Sequence, residues 1–162
     1  MSKSTAVSIR RRLLNLAKEN HENFDYVLRQ YLMQRLLYRL SISEVELGVA
    51  NRRLKDFYDL WIISRQFDLD GHILAKAISV TFERRGTRID TNALTLFSDS
   101  FKNNKQKEIQ WNAFLNKNGL VQKESFSEIV TSIESFLFPL YQSLSDQQDF
   151  SLVWSCKSEV WG

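Results

Sequence analysis

Cysteine is nearly missing from this 162-residue chain. Cys156 stands alone, so no disulfide can form within it. Proline occurs once and glycine five times, which is little punctuation for a fold made of tight turns and favours helices with short joints. The only histidines, His21 and His72, are too few and too scattered to build a structural zinc site with that cysteine, and no metal site is expected. No run of about 18 apolar residues occurs, so no segment reads as a membrane span and no membrane partner is expected. Residues 1–12 carry no apolar stretch ahead of a small-residue cleavage site, so no secretory signal is expected and the chain reads as cytoplasmic. Also lacking are a G-x-G-x-x-G turn, a paired-glycine phosphate loop and any sequence warrant for a Ser–His–Asp set.

Apolar residues make up 43% of the chain, including 11 Phe, 5 Tyr and 4 Trp, enough to build the core of about one domain. Net charge is only +3, too weak to imply a nucleic-acid partner by itself. Its distribution is uneven. Residues 1–65 hold twelve Lys/Arg against seven Asp/Glu, whereas residues 124–149 carry five acids and no base. Solvated helix faces account for this most simply, and a basic front half is also suited to phosphates or an acidic partner.

Hydrophobic spacing predicts helices over 7–19, 22–41, 50–66, 71–85 and 103–117, with a last one opening at Ser125. The clearest stripe is Leu54, Phe57, Tyr58, Trp61 and Ile62, which falls on one helix face. Helix 22–41 is apolar nearly all round: Phe24, Val27, Leu28, Tyr31, Leu32 and Leu36 cover one side, and Tyr26, Met33, Leu37 and Leu40 much of the other. Such a helix expects neighbours on several sides, and self-association through 22–41 is one way to supply them. Asp70 is placed to cap helix 71–85, and Gly86 and Gly119 to close helices. Ser125-x-x-Glu128 is a capping box, and Pro139 should kink the helix that follows. A further turn of helix is expected around Asn92–Phe97. Phe150, Leu152 and Trp154 alternate as a short strand would. The expectation is an all-α, irregular bundle of five to six helices, with residues 1–43 as an N-terminal helical hairpin and 44–162 as a C-terminal helical region with an aromatic tail.

Two constellations bear on chemistry. Arg65-x6-His72 has the spacing of the Arg/His pair in a helical ribonuclease family, but Phe67–Gly71 should break the helix that would have to hold both. Arg52, Lys55, Asp56 and Asp59 are expected on the face opposite the Leu54–Trp61 stripe. There Arg52/Asp56 and Lys55/Asp59 have the four-residue spacing of salt bridges on a solvated helix. The same carboxylates beside two cations suit a metal–nucleotide complex, although phosphoryl transfer also needs further carboxylates and a phosphate cradle.

The run Leu47-Gly48-Val49-Ala50-Asn51-Arg52-Arg53-Leu54-Lys55-Asp56-Phe57-Tyr58-Asp59-Leu60-Trp61 resembles the LGxANxRxKDFYDLW signature of the AbiEii family. These are nucleotidyltransferase-fold toxins of abortive-infection, type IV toxin–antitoxin systems. The resemblance continues through Arg65–Asp68, Ala77–Thr87 and Trp111–Leu115, and reaches back to Leu13–Lys18 and Tyr31–Ser41. The aromatic tail, with Phe150, Trp154 and Trp161, is similar as well. It implies nucleotide transfer in the cytoplasm with a nucleoside triphosphate and Mg²⁺, opposed by a cognate antitoxin. Carried over residue by residue, it makes Asp59 part of an active-site wall, turns Lys55 toward phosphate and puts Asp56 in support.

The departure from the family is internal. Between the Tyr31–Ser41 segment and the signature, the family has strands with a phosphate-gripping turn, a metal-binding Asp-x-Asp pair and a helix with a catalytic-site lysine. Here Ser41–Glu44 runs directly into Val45–Gly48. The expectation is therefore an all-α remnant of an α+β nucleotidyltransferase-type fold, catalytically inactive and needing no cofactor. The alternative is a helical module that binds RNA or a partner protein through Arg10, Arg11, Arg12, Arg52 and Arg53, with Arg35 and Arg39 beside them.

Overall fold

A computed structural model describes residues 3–24, 26, 27, 31, 50–83, 86, 97–121 and 123–162, with side chains described for residues 11–24, 26, 27, 31, 54–83, 86, 97–121 and 123–162. The first helix, α1 (Lys3–Glu19), buries Leu13 and Ala17, four residues apart, against Val27, with Phe24, Tyr26 and Tyr31 half-buried around them. It ends in a left-handed residue, His21 (φ 56°), whose N–H donates to the Lys18 carbonyl while Glu22 N–H reaches back to Ala17. That is a Schellman stop with histidine where glycine is commoner. The rest of the 22–41 helix, including Met33, Leu37 and Leu40, lies outside the described residues, as does the Arg52/Asp56 pairing.

The main core gathers around two helices. The signature helix α2 (Ala50–Gln66) turns Leu54, Phe57, Leu60 and Trp61 inward. Its stripe packs on the long helix α6 (Phe126–Ser145), which buries Ile129, Val130, Ile133, Phe136, Leu137 and Leu140. After α2 come a short strand β1 (Leu69–Asp70) and helix α3 (Gly71–Glu83), capped by Asp70 Oδ1, which accepts the Ile73 N–H at 3.0 Å. Gly86, just past α3, is left-handed (φ 62°) as its expected closing role requires.

The helix expected over 103–117 forms as α5 (Lys105–Lys117), and a one-turn helix, α4 (Asp99–Lys102), precedes it where no helix was expected. Asn104 separates them because its side chain accepts the Gln106 and Lys107 N–H groups and so starts a new helix. The turn expected at Asn92–Phe97 lies outside the described residues except for Phe97, which is buried. The Ser125–Glu128 capping box forms as the spacing predicts. Pro139 sits inside α6, and the helix continues for six residues beyond it.

The bundle is mostly helical, with six helices among the described residues and one small antiparallel sheet. The tail supplies two of its strands, β2 (Val153–Ser155) and β3 (Val160–Trp161), in the order β1-β2-β3, with Leu69 opposite Trp154 and Trp154 opposite Trp161. The expected inward alternation holds for Phe150 and Trp154 and fails at Leu152, which is 43% exposed. Trp154 is driven into the core, where its Nε1–H donates to the Ser64 carbonyl at 2.6 Å. Trp161 stacks on Phe136 and donates its Nε1–H to the Phe136 carbonyl at 2.9 Å. Both indoles thus satisfy their one polar atom, Trp154 bridging α2 and α6 and Trp161 packing on Phe136 and Trp154. No described helix is long and apolar enough to cross a membrane.

Candidate functional site

Two of the signature's groups, Lys55 and Asp59, face outward on α2. They sit four residues apart, one turn along the helix, and the Lys55 ammonium is ion-paired with Asp59 Oδ2. Lys55 is well exposed and Asp59 half-buried. Asp56 departs from the expected solvated face: it is 3% exposed, because its position turns toward the core side of α2 between Leu54 and Phe57. A buried carboxylate needs a partner, and Asp56 has one. The signature's two aspartates therefore occupy different environments, one at the surface and one enclosed.

Of the expected basic residues, Arg11 and Arg12 are exposed on α1, joined on the same helix by exposed Lys18, and Arg10 lies in the same helix. The side chains of Arg10, Arg52 and Arg53, and all of Arg35 and Arg39, lie outside what is described. The Arg65/His72 pair is divided as the intervening residues predict: Arg65 is in the last turn of α2, and His72 is exposed in the first turn of α3, with β1 between them.

Arg65 instead joins three elements. It lies over the Trp61 ring at 5.0 Å, pairs with Glu124 before α6 at 3.3 Å, and pairs with Glu159 in the tail hairpin at 3.1 Å. Ser132 donates to the other oxygen of Glu159 at 3.4 Å. Sequence spacing could not reveal this cluster, because its members are brought together only by closure of the tail.

A second feature missed from sequence is Asp68-Leu69-Asp70, an Asp-x-Asp downstream of the signature. Leu69 is buried, whereas Asp68, just before β1, is exposed and Asp70 half-buried. Each aspartate is used by backbone. Asp70 caps α3, and Asp68 Oδ1 accepts the Cys156 N–H at 2.8 Å. That hydrogen bond, with a lesser one from the Cys156 side chain, holds the Asp68 carboxyl below its ordinary range, and the hydrogen bond between the thiol and Asp68 pushes the Cys156 thiol up. Among the described residues, no group of three His, Cys, Asp or Glu converges as a metal centre would require.

The model of the nucleotidyl transferase AbiEii toxin family, a type IV toxin–antitoxin system, matches residues 35–132, more than half of the chain. The chain belongs to the AbiEii family. No curated protein and no solved structure matches it. The matched span contains the whole of α2, so this AbiEii-family chain carries Lys55, Asp56 and Asp59 within the family region. The expected aromatic tail falls outside that span, yet it is fastened to it through Trp154, Cys156 and Glu159.

Proposed function

We propose that this chain is a non-catalytic member of its toxin family, shortened internally at the Glu44–Val45 junction. The observation that carries this reading is the engagement of its candidate carboxylates within the protein: Asp59 holds Lys55, Asp56 is enclosed, and Asp68 and Asp70 accept backbone N–H groups. Nucleotidyl transfer needs carboxylates free to bridge a divalent ion to the triphosphate and a cradle for its phosphates. Asp59 remains the residue on the former active-site wall, Lys55 the one toward phosphate, and Asp56 the enclosed support. No cofactor is assigned to the chain.

The test is direct. The protein is incubated with labelled nucleoside triphosphates, Mg²⁺ and total tRNA, and the expected outcome is no labelled RNA. Robust labelling, abolished by Asp59→Asn, would overturn the reading. A cognate antitoxin is the partner that family membership suggests, and a cytoplasmic setting goes with it. Pull-down by the product of an adjacent reading frame would test that partnership.

A second reading is favoured by the exposure of Arg11, Arg12 and Lys18 on α1. It makes α1 a contact for RNA or an acidic partner protein, with Arg10, Arg52 and Arg53 contributing. Retention on immobilised RNA that weakens steeply with salt is expected if phosphates are the target. Retention unchanged by Arg11→Gln/Arg12→Gln would dismiss it. Self-association through 22–41 is tested separately by light scattering, where a clean monomer would dismiss it.

A further inference from the structure

We draw no further inference here: the strongest candidate, the outer face of the tail hairpin, where exposed Val153 and Val160 lie on the adjacent strands β2 and β3, is an apolar patch and nothing in the structure shows what covers it.

Discussion

Replacing Gly71 by alanine tests whether the tail sheet is part of the core. A Cβ built at Gly71 would lie 2.4 Å from the Leu152 carbonyl oxygen and 2.6 Å from Phe150 Cδ1. Neither neighbour yields cheaply. The Leu152 oxygen also accepts the Gly71 N–H at 2.9 Å, so moving it away breaks that bond and strains the pairing of Asp70 with Val153. Phe150 is buried and packs edge-on against Trp161. Overpacking of this kind costs about 1–3 kcal/mol, and the lost hydrogen bond about 1 kcal/mol more. Alanine's helical advantage over glycine, about 1 kcal/mol at most, offsets only part of it. The net loss is about 1–3 kcal/mol, which lowers the melting temperature by roughly 2–10 °C in a chain of this size. Thermal unfolding followed by circular dichroism measures the shift, and tryptophan fluorescence reports whether Trp154 and Trp161 become wetter in the folded variant. A variant that melts at or above the parent temperature would refute the argument, because the close approach would then have relaxed at no cost.

Trp154→Phe removes the donor to the buried Ser64 carbonyl and leaves a small void beside Phe136. Urea unfolding should show a loss of about 2–4 kcal/mol, and a loss below about 0.5 kcal/mol would mean the indole nitrogen is dispensable. Asp68 and Glu128 predict a pH signature. The Cys156 N–H holds Asp68, and the Ser125 N–H holds Glu128, below their ordinary pKa values. Depressed folded-state pKa values give stability that is present above about pH 4 and is lost as pH falls through the folded pKa. Asp68→Asn/Glu128→Gln should therefore melt below the parent at about pH 7, and the gap should close on acidification. A gap independent of pH would contradict this.

What could be read from sequence followed distance along the chain. The Leu54–Ile62 stripe, the Ser125–Glu128 box and the Asp70 cap are local patterns, decided by hydrogen bonds and faces a few residues apart, and each forms. The short α4 was missed although its Ser98 cap is local, because a four-residue helix has no hydrophobic period to show. The end of α1 falls where the expected 7–19 helix stops, with His21 in the left-handed position, whereas the stop after α6 escaped because Gln147, not a glycine, takes that position. The sheet was illegible for a different reason. A two-residue strand has no periodicity, and β1 exists only because a tail more than 80 residues later pairs with it. The Arg65–Glu159 bridge shares that origin.

In the candidate site, packing accounts for most of the signature without any appeal to chemistry. Within Lys55–Trp61, Asp56, Phe57, Leu60 and Trp61 are buried, and Tyr58 packs its ring near Trp61, Trp111 and Phe114. Five of these seven positions thus hold α2 against α5 and α6, and replacing any of them with a polar or smaller residue would open the core. Only Lys55 and Asp59 face outward, and each is the other's ion-pair partner. Packing alone is sufficient reason for most of the motif to be what it is. Membership of the family follows from the matched region, whereas activity turns on two surface side chains and on whatever carboxylates could reach them. The labelling experiment with Asp59→Asn separates those two claims: loss of the carboxylate should leave the fold intact and change no product, because the half-buried pair contributes at most about 1 kcal/mol.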